Sequence, residues 1–308
     1  MKFFALLLTG LFFIIFGQVF AEEPKRKWTS ADGRSFEGKY LSATDTEVKI
    51  SKNGKPVTVL LSVLSEDDRA YIKGRLAEDA LEDRSFETSP VAEMLKGEWV
   101  KVPQEKYGLT FQVFGTKKLA RSKEPVPLVI HLHGAGARAI DVKAGRVEIA
   151  AQELAKEALY KKHPSLIIVP LCPPDTFWGH HVDKLEALID DLLKTTPIDA
   201  KRIYLSGYSM GARGCDALIK SWPKFYAAAL FADGEANRNW VEISDTALWL
   251  VFSGERDFKK AEEVTKAYVA AGKTAEFKAY PDAKHGQIHW KLAKDDKVFP
   301  WMFAQVRE

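Results

Sequence analysis

Residues 202–214 read RIYLSGYSMGARG, a short apolar run that leads directly into the pattern Gly-x-Ser-x-Gly. In a nucleophile elbow, such a serine occupies a sharp turn between a strand and a helix, and glycines flank it because a Cβ there would collide with neighbouring backbone. Gly207 and Gly211 take those two positions around Ser209. The run before the pattern is typical of a buried strand, and apolar residues follow it at helical spacing. The stretch predicts that Ser209 is a nucleophile; an inert serine in a glycine-rich turn is the alternative.

The composition is that of an ordinary globular protein. The chain has 308 residues, of which 46% are hydrophobic and 28% charged, so it is long enough for one large domain and a small one. The formal net charge is only +3, and the sequence has no dense Lys/Arg block. Charge therefore gives no indication of nucleic acid binding.

The N-terminus has the pattern of a secretory signal peptide over residues 1–21, with an apolar run at residues 3–16 and cleavage expected after Ala21. We therefore expect a secreted or periplasmic protein with no membrane attachment after cleavage. An uncleaved anchor is the alternative, because the apolar stretch approaches the ~18 residues of a spanning helix. An oxidising compartment would permit a disulfide between Cys172 and Cys215, and two buried free thiols are the other outcome.

Residues 22–75 alternate apolar and polar side chains with a period of two. The turn signals Asp32-Gly33 and Asn53-Gly54 separate the short runs, which is typical of strands joined by tight hairpins. Five short strands in so few residues predict a small β-barrel, followed by a short helix near Glu66. Residues 76–95 are acidic and poor in large apolar side chains, which predicts a linker.

Residues 96–308 alternate strand-like and helix-like segments. Continuous apolar runs at 127–132, 166–169 and 203–205 imply strands that are buried on both faces. Segments with helical periodicity lie between them. This alternation predicts an α/β domain with a doubly wound, mostly parallel sheet. In such sheets the functional groups gather at the carboxyl ends of the strands.

The loop after the apolar run at 127–132 contains His133, Gly134, Ala135 and Gly136. Its glycines would let backbone N–H groups approach a bound oxygen closely. One donor from this loop and one from the residue after the nucleophile form the oxyanion hole of acyl transfer. We therefore expect the N–H groups of Met210, Ala135 and Gly136 to form that hole; a tight turn without a ligand is the alternative.

A carboxylate and a histidine follow the last two predicted strands. Asp257 comes after the strand that ends at Phe252, and His285 comes after the strand that ends at Tyr280. The chain order Ser, Asp, His is the one found in α/β-hydrolases. The sequence therefore predicts Ser209 as nucleophile, His285 as general base and Asp257 as the group that orients the base.

Three other residues are weighed for these roles. Glu255 and Asp282 are the reserve acids, because each lies in one of the same two loops. His289 lies in a stretch that looks like the start of a packed segment, so His285 is the better candidate for the base.

Further polar and aromatic residues follow predicted strand ends. We expect His133, Trp178 and His180 to line the substrate cleft, although simple packing is an alternative for the aromatic residue. His131 and His133 with His180 and His181 would be the alternative metal site. A catalytic zinc needs three protein ligands and no carboxylate lies at a suitable spacing, so we expect neither a metal nor a cofactor.

Residues 96–305 resemble the α/β-hydrolase group of polyhydroxybutyrate-depolymerase-like esterases, feruloyl-type esterases and bacterial predicted peptidases. The resemblance rests on HLHGAG at 131–136, PLCPP at 170–174, IDAKRIYLSGYSMG at 198–211 and Trp301. The chain departs from that group at residues 253–257, where relatives more often have His-Gly before the acid, and at Ala212, where a third glycine is common.

This resemblance implies a serine hydrolase that cleaves a carboxylic ester, in a small molecule or a polymer, through an acyl-enzyme. The signal-peptide pattern of residues 1–21 adds the expectation that the enzyme is exported. A serine peptidase with the same triad and a non-catalytic binding protein on a hydrolase fold are the alternatives. Fold and triad do not define the natural substrate.

The N-terminal segment resembles the small SH3-like homology domain of endocytic adaptor proteins. The resemblance rests on WTSADGR at residues 28–34 and VLLSVLSEDDR at residues 59–69. It implies a module that binds a peptide or a surface ligand, but the ligand-contacting residues of that family have no match here. A plain structural role is the alternative.

Overall fold

The computed structural model describes residues 24–79, 86, 89, 91–103, 108–122, 124–138 and 143–307. The signal peptide predicted at residues 1–21 lies outside these ranges. Within them, no helix is both long enough and apolar enough to cross a membrane.

The N-terminal sheet has four antiparallel strands in sequential order. They are β1 (Lys25–Thr29), β2 (Ser35–Ala43), β3 (Glu47–Lys52) and β4 (Lys55–Leu60). Asn53 and Gly54 both have positive φ, as a two-residue hairpin between twisted strands requires. The sequence predicted five strands; an isolated bridge between Ser30 and Leu64 is present instead of a fifth. The SH3-like barrel stays a prediction.

Helix α1 (Glu66–Asp79) packs on this sheet, whose small core includes Trp28 and Ile72. The same helix also contacts the large domain. Lys73 forms an ion pair with Asp190 at 2.7 Å, and its Nζ lies 3.4 Å from the centroid of the Trp222 ring. The N-terminal sheet is therefore attached to the large domain through polar contacts of α1.

The predicted linker at 76–95 is in part a component of the large domain. Phe86, Val91 and Leu95 are buried in the largest hydrophobic cluster of the molecule. The core of the large domain thus begins before residue 96. The sequence does not indicate this burial, because the three apolar residues stand among acidic neighbours. The domain boundary at residue 96 stays a prediction.

The central sheet has eight strands in the order β12-β11-β10-β9-β7-β8-β6-β5. They are β5 (Val100–Val102), β6 (Phe111–Phe114), β7 (Val126–Leu132), β8 (Leu166–Pro170), β9 (Ile198–Tyr208), β10 (Ala228–Ala232), β11 (Ala247–Ser253) and β12 (Ala275–Tyr280). Strand β6 runs antiparallel to β5 and β8, and every other pair is parallel. The mostly parallel α/β sheet is confirmed.

Helices cover both faces of this sheet. They are α2 (Lys117–Ala120), α3 (Ile149–Leu154), α4 (Glu157–Tyr160), α5 (Val182–Thr195), α6 (Met210–Ser221), α7 (Trp240–Ile243), α8 (Phe258–Ala270), α9 (His285–Lys294) and α10 (Val298–Ala304). Helices α5 to α8 contribute to one core cluster, and α3, α4, α9 and α10 contribute to the other. Neighbouring residues of one strand therefore face different cores, as Ile130 and Val129 of β7 do.

Six strands, β7 to β12, run in the same direction, so their carboxyl ends lie at one edge of the sheet. The loops that follow these ends carry the HGAG sequence, Ser209, Asp233, Asp257 and His285. In open parallel sheets this edge is where ligands bind. The candidate site lies there.

Candidate active site

Ser209 occupies a strained turn between β9 and α6. Its backbone has φ 53° and ψ −111°, a conformation that is uncommon for a residue with a Cβ. The two flanking glycines are needed for close contact: a Cβ on Gly207 would lie 2.5 Å from the carbonyl carbon of Gly211, and one on Gly211 would lie 1.7 Å from the Leu132 oxygen. The strand, turn and helix predicted around Ser209 are present.

His285 connects Ser209 to a buried carboxylate. Its Nε2 lies 2.9 Å from Ser209 Oγ, and its Nδ1 lies 2.8 Å from Oδ2 of Asp233. The histidine side chain is 28% exposed, whereas that of Asp233 is fully buried. Ser209 as a residue is partly exposed. The serine end of this hydrogen-bonded chain therefore opens to solvent and the acid end does not.

The carboxylate beside His285 is not the one that the sequence predicted. Asp257 is the N-cap of α8, where its exposed Oδ1 accepts the backbone N–H of Lys260 at 3.2 Å. Asp233, which directly follows β10, takes the place beside the imidazole instead. The prediction that Asp257 contacts the base is therefore wrong: Asp233 lies beside the imidazole, because the first turn of α8 uses the Asp257 side chain as a cap.

The surroundings of Asp233 fix its orientation. Its two oxygens accept the backbone N–H and the hydroxyl of Ser253, each at 2.6 Å. The reserve acids do not contact the imidazole in the described structure: Glu255 accepts the backbone N–H of His285 at 2.6 Å, and Asp282 is exposed. Asp233 had the same sequence signal as Asp257, since it also follows an apolar strand.

The loop after β7 presents two free backbone donors. Within the described residues, the N–H groups of Ala135 and Gly136 have no acceptor, whereas those of Ala137 and Arg138 bond to carbonyl oxygens of the turn. The N–H of Met210, the first residue of α6, likewise has no acceptor there, as expected at a helix N-terminus. The three donors predicted for an oxyanion hole are therefore available for a ligand.

His133 and Trp178 do not line a cleft. His133 is 1% exposed, its Nδ1 lies 2.8 Å from the Gly134 oxygen, and its Nε2 accepts the N–H of Cys172 at 3.0 Å. Trp178 is equally buried and donates its Nε1–H to the His133 oxygen at 3.0 Å. Burial lowers the pKa of His133, which favours the neutral ring. The prediction that these two residues line the cleft is wrong, because both side chains are buried and bond to backbone groups of residues 133, 134 and 172.

His180 is exposed, as a cleft residue would be, and lies edge-on to Phe177 with 6.0 Å between ring centroids. Phe177 is also exposed, and the guanidinium of Arg138 lies 4.7 Å from the centroid of its ring. Arg138 Nη2 lies 2.9 Å from Sδ of Met210, next to the nucleophile in sequence. Arg138 and Phe177 belong to no sequence motif, although Arg138 lies two residues after the HGAG stretch and Phe177 directly precedes Trp178.

Tyr208 contacts His285 through both its ring and its hydroxyl group. Its ring stacks on His285 with 5.1 Å between centroids, and its hydroxyl donates to the His285 carbonyl at 3.0 Å. His289 also contacts Tyr208, with 4.6 Å between the ring centroids. Burial lowers the pKa of His289. The structure thus places His285, and not His289, at hydrogen-bond distance from Ser209.

The described residues have neither a metal-ligand cluster nor a disulfide bond. Among the described residues, no group of three or more His, Cys, Asp or Glu side chains is arranged to hold a metal ion. Cys172 and Cys215 are both free and buried. Of the two outcomes considered for these cysteines, the structure has the unbonded one.

Comparison with known proteins gives one family match. A sequence model of the dienelactone hydrolase family matches residues 175–295, which contain Ser209, Asp233 and His285. No curated protein sequence matches the chain.

Solved structures resemble the chain more broadly. A thermostable esterase is 25% identical, with a TM-score of 0.59 over 68% of this chain and 63% of the esterase, so the match spans less than two thirds of that protein. A ferulic acid esterase is 13% identical, with a TM-score of 0.50 over 67% of this chain and 96% of its own. Dipeptidyl peptidase 4 of Porphyromonas gingivalis is 12% identical, with a TM-score of 0.52 over 89% of this chain and 45% of its own.

The last two likenesses concern the fold alone, because fold and activity separate at such low identity. Together with the strand order and the strand–turn–helix at Ser209, the comparisons show that the large domain has the α/β-hydrolase fold, and the family match and the esterase support a hydrolase of that type.

Proposed function

We propose that the protein is an exported serine hydrolase that cleaves carboxylic esters through an acyl-enzyme. One observation carries the proposal: His285 Nε2 lies 2.9 Å from the hydroxyl of Ser209 at a strained strand-to-helix turn, while Nδ1 contacts buried Asp233. The esterase neighbour and the family match support ester hydrolysis as the reaction. The signal-peptide pattern of residues 1–21 supports export.

The proposed reaction begins when Ser209 Oγ attacks the ester carbonyl and its proton passes to Nε2 of His285. Asp233 accepts the Nδ1–H, which keeps Nε2 free to take that proton and stabilises the imidazolium that forms. The same imidazolium then donates the proton to the departing alkoxide. A water molecule then attacks the acyl-enzyme while His285 takes its proton and returns it to Ser209 Oγ, which releases the carboxylic acid and restores Ser209.

Negative charge develops on the carbonyl oxygen in both steps. The N–H groups of Ala135, Gly136 and Met210 are the proposed donors to that oxygen, since they have no acceptor within the described residues. A single donor of this kind is typically worth about 10²–10³-fold in rate. Phe177 and His180 are exposed and contact each other, and Phe177 also contacts Arg138, which reaches Met210 beside the nucleophile. These two side chains are the proposed contacts for the substrate.

The N-terminal sheet is proposed as a binding or spacing module that takes a peptide or a surface ligand. Leu41, Leu60 and Val63 of this region are large apolar side chains that are exposed to solvent. The proposed catalytic groups all belong to the large domain, so the module has no part in the chemical step.

The test is turnover of p-nitrophenyl acetate, butyrate and octanoate by the wild type and by Ser209→Ala. We expect a loss on the order of 10⁴–10⁶-fold in kcat, because only the oxyanion donors and binding remain. A fluorophosphonate probe should label the wild type at Ser209 and leave the variant unlabelled. An unchanged melting temperature is the folding control. Turnover near the wild-type level in the folded variant would overturn the nucleophile assignment, and faster cleavage of a matched p-nitroanilide than of the ester would favour a peptidase.

A further inference from the structure

A second chain of serine, histidine and carboxylate lies next to the first. Ser206 Oγ is 3.1 Å from Nδ1 of His131, and Nε2 of His131 is 3.1 Å from Oε2 of Glu148. Ser206 and His131 are each 1% exposed, and the side chain of Glu148 is 15% exposed. No substrate reaches a serine buried to this degree, so the second chain has a different use from the first.

Its far end bonds to the loop that carries the proposed oxyanion donors. Oε1 of Glu148 accepts the backbone N–H of Gly134 at 2.9 Å. Glu148 is the N-cap of α3, yet its side chain makes no bond to its own helix. A helix-capping carboxylate would normally satisfy the free N–H groups of its own first turn. Here both oxygens are used elsewhere, one by His131 and one by the loop.

The bond to Gly134 determines which N–H groups of the loop are free. Gly134 donates to Glu148, whereas Ala137 and Arg138 donate to carbonyl oxygens of the turn. The N–H groups of Ala135 and Gly136, between them in the chain, have no acceptor within the described part of this loop. If Gly134 lost its acceptor, its N–H would be a buried unsatisfied donor and the turn would reorient to satisfy it.

The loop is also fixed on its other side by Tyr208. A Cβ on Gly134 would lie 2.8 Å from Cδ1 of Tyr208, so the ring packs directly against the loop backbone. The hydroxyl of Tyr208 donates to the carbonyl of His285. The loop of the proposed donors and the proposed base are therefore held against the same side chain.

We propose that Glu148 is a positioning residue for ester hydrolysis: held by His131, its carboxylate fixes the peptide at Gly134 so that the next two N–H groups point to the substrate oxygen. This inference rests on the proposed function. Burial alone would raise the pKa of Glu148, but hydrogen bonds from His131 and Gly134 outweigh it, and the pKa lies below its ordinary value. The acceptor is thus a carboxylate at neutral pH.

The proposal is tested with three substitutions of Glu148 that separate the effect of side-chain length from the effect of negative charge. Glu148→Ala removes the acceptor, and Glu148→Asp keeps the charge but is one methylene too short to contact both partners. Glu148→Gln keeps the reach: its amide oxygen can accept from Gly134, and its NH₂ can donate to His131 once that ring takes its other tautomer. Glu153→Gln and Glu153→Ala, in the adjoining helix α3, are the controls, since that side chain forms ion pairs with two surface lysines, Lys156 and Lys294.

For a p-nitrophenyl ester we expect kcat to fall about 10–100-fold in Glu148→Ala and Glu148→Asp with KM within about threefold of wild type, because a misplaced oxyanion donor acts on the transition state. Glu148→Gln should stay within about fivefold, and both Glu153 variants should match the wild type. Affinity for an alkyl boronic acid, which places an oxygen in the oxyanion hole, should fall in parallel with kcat.

Two results would overturn the positioning role. One is a folded Glu148→Ala or Glu148→Asp variant with wild-type kcat. The other is a Gln variant as impaired as the Asp variant, with KM rising as kcat falls, which indicates a general structural loss. If Glu148→Ala does not fold, the Asp and Gln pair decides. A wild type without Ser209-dependent turnover would overturn the proposed function and this inference together, whereas active wild type with unaffected variants overturns the inference alone.

Discussion

The molecule contains two hydrogen-bonded chains of the same three residue types, and they differ in every respect that matters for chemistry. In the first, Ser209 contacts Nε2 of His285 and the acid contacts Nδ1. In the second, Ser206 contacts Nδ1 of His131 and the acid contacts Nε2. The first chain reaches solvent at its serine, and the second is buried.

The backbone explains this difference. Ser206 lies inside β9, where it pairs in register with His131 of β7, so its side chain points into the layer between sheet and helices. Ser209 is only three residues later but stands on the elbow with positive φ, directly after Tyr208, the last paired residue of β9. A serine, a histidine and an acid at bonding distance are therefore insufficient to define a nucleophile. Exposure and the local backbone decide which of two similar chains can react.

The largest expected effect tests the acid of the exposed chain. Asp233→Asn should lower kcat for a p-nitrophenyl ester by about 10³–10⁴-fold, because the amide favours the wrong imidazole tautomer. Asp257→Asn is the matched control and should stay within about threefold of wild type, since Asn also caps helices well. The reverse ranking of the two variants would restore Asp257 as the orienting acid.

A smaller effect is expected at the serine of the buried chain. Ser206→Ala removes one partner of His131 but leaves the bond from Glu148 to Gly134, so kcat should fall only about 2–5-fold. Fluorophosphonate labelling should still modify Ser209 alone. Labelling that depends on Ser206 would show that the buried chain, and not the exposed one, reacts.

The smallest effect concerns stability and the histidines that surround the two chains. Burial lowers the pKa of both His133 and His289, so the folded protein excludes a proton that the unfolded chain binds. Stability should therefore be highest above the ordinary histidine pKa and decline as the pH falls below it. We expect the melting temperature to drop by roughly 2–4 °C between about pH 7 and pH 5. His289→Gln should flatten this slope, and an unchanged slope would contradict the role of burial.

Sequence patterns were sufficient where the structure is local. The elbow at Ser209 and the position of the HGAG loop directly after β7 depend on a few adjacent residues, because glycine spacing and an apolar run determine them. The mostly parallel sheet also followed from continuous apolar runs.

The sequence does not show that Asp233, and not Asp257, contacts His285, because this contact depends on the order of the strands in the sheet. Asp233 and Asp257 both follow apolar strands, and only the pairing of β10 beside β11 brings Ser253 and His285 to Asp233. Sequence spacing carries no such information. The burial of His133 is likewise not visible in the sequence. A polar side chain next to the loop at 133–136 can either line the cleft or lie in the core, and tertiary packing determines which of the two occurs.

The backbone of Ser209 has a thermodynamic consequence for the whole protein. A residue with a Cβ held at φ 53° and ψ −111° costs on the order of 1–3 kcal/mol, and the close contacts of Gly207 and Gly211 leave the turn no room to relax. Domains of this kind are stable by only about 5–15 kcal/mol. A single peptide at the elbow therefore offsets roughly a tenth or more of the free energy of unfolding, with or without substrate. At this position selection for reactivity and selection for stability act in opposite directions.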